Sequence, residues 1–236
     1  MTSPSLVLAD HSNGWCEELV DRYDKVGIRT LIQLLPFGIG SAIDAMMSKV
    51  IVENQRLRVR EFFDVLNSGT TEITPEMIQD DQFLHCYFAT IRAAIYTKRI
   101  EKVRWLAKLL ESAISLPVED RTGDDYDYLL KILDDLTHDE IQLLLRIRAE
   151  EIKHRGGTWT PTMTPRGNKA FWLDFRRQLA ADLNISESKL DQRLVRIERT
   201  GCIWLTRPGG NELGPQYAVT TETFKELVEF AKISQG

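Results

Sequence analysis

The residues best suited to act on another macromolecule lie between Ser186 and Thr200. At about 100° per residue, Leu190, Leu194 and Ile197 fall on one stripe of a helix. Glu187, Asp191 and Glu198 share one flank of that stripe, and Lys189, Gln192, Arg193, Arg196 and Arg199 occupy the rest. A helix packed through its leucines turns a mostly basic, hydrogen-bonding face outward. In a major groove, Arg and Lys pair with guanine and Gln with adenine. A solvated surface helix with ordinary arginines gives the same pattern, and the acidic flank would sit close to phosphates.

Other chemistry is harder to find. There is no P-loop, no dinucleotide fingerprint, no nucleophile elbow and no motif that pairs two carboxylates. His85 and Cys86 are adjacent, so they point about 100° apart on a helix, and no His or Cys follows at i+3 or i+4. Asp124, Asp125 and Asp127 lack the Gly and bidentate Glu of a calcium loop and read as carboxylates at a helix N-terminus. The expectation is a non-enzyme with no cofactor and no metal.

The 236 residues carry a net charge of −5, which argues against a generic polyanion binder. The charge is uneven. From Glu151 onward 13 Lys/Arg stand against 10 Asp/Glu, a net of +3, whereas residues 1–150 hold 17 against 25, a net of −8. Cys16, Cys86 and Cys202 are odd in number and far apart, and the N-terminus lacks a signal-peptide pattern. Reduced thiols and a cytoplasmic location are expected.

The elements that must position the basic helix are read in order. Residues 1–12 form a flexible tail, 13–135 a helical domain and 136–236 a second domain. A first helix runs from about Asn13 to Leu35, stopping at Pro36, with Trp15, Leu19, Tyr23, Val26, Thr30 and Leu34 inward. Residues 28–47 are the most apolar stretch, cut by Pro36, Gly38 and Gly40, and read as a buried helical hairpin or as a conditionally membrane-active element. A helix from Ser41 to Leu66 has Leu57, Phe62 and Val65 inward, while Lys49, Arg56, Arg58 and Arg60 line a solvated face. Thr74 caps a helix that begins with Pro75 and continues to Thr97. Further helices cover 100–115 and 125–135, and Thr137 with Glu140 makes a capping box for the next. A long Gly/Pro/Thr-rich loop spans 155–168, before a helix over 169–182 and the turn Leu183–Ser186. Two strands, Cys202–Leu205 and Tyr217–Val219, flank a Pro/Gly turn, and Thr220 or Thr221 caps the last helix.

Helix, helix, hairpin, helix is the order of a winged helix. Leu136 to Ile233 resembles the winged-helix domains of bacterial regulators, through Leu136-Thr137 with Glu140, Ile185-Ser186 with Leu190 and Leu194, the junction Ile197 to Ile203, and Tyr217 to Thr221. The resemblance implies that Ser188, Lys189, Gln192, Arg193 and Arg196 face bases and phosphates. Arg207, at the start of the wing, is placed to meet a minor groove or phosphates. The long loop 155–168 departs from these regulators. The P-x-G-x-G-S hairpin of the N-terminal part, with its arginine-dotted helix, is similar to uncharacterised bacterial proteins, some of which accompany phage-defence loci.

The expected fold is mainly α, an N-terminal helical bundle followed by a winged-helix domain with a two-stranded β-hairpin wing. The expected function is DNA-binding regulation, with the N-terminal domain serving oligomerisation or a partner. The alternative is a protein-binding adaptor or antiviral defence component.

Overall fold

A computed structural model describes residue 15 and residues 17–35, 49–115, 123–155, 165–206 and 217–233. It divides into two compact units that meet between Lys131 and Ile132. The described residues are mainly helical, with one small antiparallel sheet among them.

The first unit begins where the expected long helix breaks. Residues 17–21 are helical (α1), the chain leaves the helix, and α2 covers Val26–Gln33. The break is held from outside. The Tyr23 hydroxyl donates to Asp64 Oδ1 at 2.9 Å, and Lys25 Nζ donates to the carbonyls of Asn67 and Gly69 at 2.7 and 2.9 Å. The break also shifts the inward stripe. Leu19 and Tyr23 are buried, but the phase then passes to Ile28, Leu31, Ile32 and Leu35, and Val26 is left 73% exposed. The expected stripe through Val26, Thr30 and Leu34 is therefore corrected.

The α3 helix (Lys49–Ser68) buries Val59, Phe62, Phe63 and Leu66 and leaves Leu57 49% exposed. Spacings of three and four residues put the former on one face, and Leu57 falls off it. The basic run on this helix has internal partners: Arg58 donates to the Ile95 carbonyl, Arg60 pairs with Glu18, and Arg56 lies over the Trp15 ring. Next come the one-turn α4 (Pro75–Ile78), capped by Thr74, and α5 (Asp81–Tyr96), capped by Asp80. The single helix expected here is interrupted because Asp80 offers its carboxylate to Gln82 N.

Helix α6 (Ile100–Ser115) completes the core, packing on both α3 and α5. Phe62, Phe63, Tyr87, Ile91, Leu106, Leu109 and Leu110 are almost wholly removed from water. Burial of each such side chain stabilises by about 1.5–3 kcal/mol. Tyr87 spends its hydroxyl on the Leu31 carbonyl at 2.7 Å, which fixes α2 to α5. Residues 36–48, most of the expected hairpin, lie outside the described residues. None of the described helices is long and apolar enough to cross a membrane.

Helix α7 (Gly123–Asp135) leads to α8 (His138–Arg155) through the expected capping box. Thr137 N donates to Glu140 Oε2 at 2.8 Å, and Glu140 N donates to Thr137 Oγ1 at 3.3 Å. Helix α9 starts at Pro165, four residues earlier than expected, and runs to Asp182. That shortens the expected 155–168 loop, of which 156–164 lie outside the described residues.

A tight turn joins α9 to α10 (Glu187–Glu198). Asn184 takes φ 51°, so that Ile185 N reaches the Ala180 carbonyl and Asn184 N that of Ala181, both at 3.0 Å. These paired bonds close a helix on a left-handed residue, a place that Asn tolerates. Ser186 then caps α10 by accepting from Lys189 N. Gly201, at φ 76°, turns the chain into β1 (Ile203–Thr206), which pairs antiparallel with β2 (Tyr217–Thr220) in the register Ile203↔Thr220 to Thr206↔Tyr217. Thr221 caps α11 (Glu222–Phe230), whose Phe224 and Leu227 are buried.

Candidate nucleic-acid interface

Helix α10 packs through Leu190, Leu194 and Ile197, each 0% exposed, against α9 and β1. The rest of its surface is sorted by what the neighbouring elements offer. On the acidic flank, Arg176 of α9 reaches Asp191 at 2.7 Å and Glu187 at 3.4 Å. Arg176 is only 13% exposed, so this pair is largely screened from water. Burial raises the Asp191 carboxyl above the ordinary aspartate range, with Arg176 opposing the shift and Glu187 adding to it. The third acid, Glu198, accepts from Leu205 N of β1 at 3.2 Å. All three acids thus have a partner inside the unit.

The bases divide differently. Lys189, Arg193 and Arg199 form no ion pair with any described residue. Among the other described side chains of the second unit, Arg146, Lys153, Arg176, Arg177, Arg196 and Lys225 each have a carboxylate partner, and Arg148 and Lys232 have none. Ser188, Lys189, Gln192 and Arg199 are exposed and Arg193 is half-buried. The expected contact set is therefore brought onto one open face of α10, with two exceptions. Arg207 lies outside the described residues. Arg196, itself 54% exposed, is engaged within the unit: Nη1 donates to Glu140 Oε1 at 2.5 Å and Nη2 to the Asp135 carbonyl at 2.9 Å.

Three residues that organise this face were not evident from helical periodicity. Arg176 belongs to a different helix from the two acids it pairs with, and only the charge complementarity of adjacent helices hinted at it. Glu198 and Glu151 act as acceptors for strand backbone. Glu151 of α8 takes Thr220 N at 2.7 Å and Thr220 Oγ1 at 2.5 Å, which pins β2. Trp204 of β1 is 67% exposed, a large aromatic surface open to solvent.

In the first unit a cleft of about 800 Å³ opens between the start of α2 and residues 70–79. Its lysine, Lys25, is already committed to two backbone carbonyls. Among the described residues no group of three His, Cys, Asp or Glu side chains is arranged to hold a metal ion. In comparisons with known proteins, no family model, no curated protein and no solved structure matches this chain.

Proposed function

We propose that residues 136–236 form a winged-helix module that binds duplex DNA through the open face of α10. The helical N-terminal part would serve oligomerisation or bind a partner. One observation carries this reading: the acids of α10 have partners within the unit, Glu187 and Asp191 sharing Arg176 and Glu198 accepting a backbone N–H, while Lys189, Arg193 and Arg199 have no carboxylate partner among the described residues. The objection that the acidic flank would repel phosphates is thereby weakened. Unpaired cations on an exposed face displace the counterions of a duplex, and Gln192 and Arg193 can donate to base edges. The order helix, tight turn, helix, hairpin, helix supports the module assignment.

The test is titration of the full chain into a labelled random-sequence duplex of about three helical turns, at salt from about 50 to about 200 mM. Affinity is expected to fall steeply with salt. Lys189→Ala and Arg193→Ala are each expected to flatten the logarithmic salt slope by about 1. Wild-type affinity indistinguishable from zero at low salt, or slopes unchanged in both variants, sinks the reading.

Trp204 supports a second reading, an adaptor that docks a protein. Exposed Trp is the side chain most enriched at interface hot spots, and the net charge of −5 disfavours polyanions in general. A stoichiometric partner lost on Trp204→Ser, with no DNA binding, would favour it.

A further inference from the structure

We infer that Arg196 is a positioning residue that fixes the orientation of α10, and that it is not a phosphate contact. This inference rests on the DNA-binding reading of the same helix. Arg196 comes from the basic side of α10, and sequence alone groups it with Lys189 and Arg193. Its guanidinium, however, is the hub of the junction between α7 and α8. Glu140 is 4% exposed. Its Oε2 accepts from both Thr137 N and Thr137 Oγ1 at 2.8 Å, so Oε1 depends on Arg196. The Asp135 carbonyl is one of the last four of α7, which have no intrahelical donor, and Arg196 Nη2 satisfies it. A guanidinium is also the favourable charge at a helix C-terminus.

Swinging Arg196 out to a phosphate would strip a nearly buried carboxylate of its cation and leave a helix-end carbonyl unmet. The first loss is the costly one, because water barely reaches the carboxylate, whereas the carbonyl lies at an exposed helix end that water can reach. Arg193 faces no such cost. The two arginines, one turn apart, therefore have different work: Arg193 is free to meet DNA, and Arg196 holds the helix that carries it. Lysine cannot substitute, because one ammonium cannot reproduce the planar fork that meets a carboxylate and a carbonyl together.

The experiment compares Arg196→Lys, Arg196→Ala, Glu140→Gln and Arg193→Ala in the full chain. It uses the same random-sequence duplex, with circular dichroism showing that each variant is folded at the assay temperature. The expected result is that Arg196→Lys and Glu140→Gln each weaken binding about tenfold with the salt slope of the wild type, whereas Arg193→Ala lowers the slope by about 1. The double variant Arg196→Lys/Glu140→Gln should be no weaker than either single variant. An Arg196→Lys chain with wild-type affinity, combined with an Arg196→Ala chain whose slope falls by about 1, overturns the inference. If the wild type binds no duplex, the DNA reading fails by itself. The positioning role is then read from thermal unfolding, where Arg196→Lys and Glu140→Gln should lower Tm by similar, non-additive amounts. Additive or absent Tm shifts overturn it.

Discussion

The guanidinium of Arg176 lies 2.7 Å from the Asp191 carboxylate and 3.4 Å from that of Glu187, and it is nearly enclosed between α9 and α10. Asp191 and Glu187 are one turn apart on α10, so one cation answers both. Two acids that would otherwise face a polyanion are held by an internal charge. Helix packing and surface electrostatics are here set by the same contact.

Removing that cation should be costly. Arg176→Gln leaves Asp191 partly buried without its counter-charge, and unfolding in urea is expected to show a loss of about 2 kcal/mol. Adding Asp191→Asn should recover part of the loss, because a neutral amide needs no counter-charge. A double variant less stable than Arg176→Gln would show that the carboxylate does not depend on this arginine.

Gly27 is required by space. A Cβ there would lie 2.1 Å from the Ile73 carbonyl oxygen and 2.7 Å from Ile73 Cβ. Alanine favours a helix over glycine by about 1 kcal/mol, yet the clash with backbone should outweigh that gain. Gly27→Ala is expected to destabilise by about 2–3 kcal/mol. Gly69→Ala should be costly as well, since its Cβ would meet the Glu111 carboxylate, which is 4% exposed and paired with Lys108. Equal urea midpoints for Gly27→Ala and the wild type would contradict the close approach.

Glu151 ties α8 to β2 by accepting two hydrogen bonds from Thr220. Bonds to a charged acceptor contribute about 1.5–3 kcal/mol. Glu151→Ala should lower the urea midpoint by an amount equivalent to about 2–3 kcal/mol and speed amide exchange at Thr220. Unchanged exchange there would mean that the strand is held by its partner strand alone.

The Cys202 thiol should make the fold sensitive to alkali. Burial pushes its pKa from 9.0 to about 11. Between these values the unfolded chain has lost a proton that the folded chain retains, so stability falls as pH rises through this window. The loss approaches roughly 2–3 kcal/mol at the upper end. Tyr23 and Tyr126 are also raised, chiefly by burial, and act in the same direction. The contribution of Cys202 is therefore read as the difference between the wild type and Cys202→Ala. That difference should shrink between about pH 8 and about pH 11, and a constant difference would refute the assignment.

Much of the local structure was written in short stretches. The bounds of α6, the Thr137/Glu140 capping box, the Ser186 cap, the turn at Asn184 and the two strands all follow from residues within about five positions of one another. Such signals survive because their partners are covalent neighbours. Periodicity misled where tertiary contacts broke it. Tyr23 and Lys25 are drawn out of a helix by residues 41 to 44 positions away, and this moved the buried stripe off Val26. On α10 the sequence determined which side chains share a face, since that depends only on helical geometry. It could not say which of them remain free for a partner. Arg196 is taken by residues 56 and 61 positions away, and the acids by Arg176 and the backbone of β1. A charge is available only if no folded neighbour has already satisfied it, and those neighbours are assembled by the tertiary structure alone.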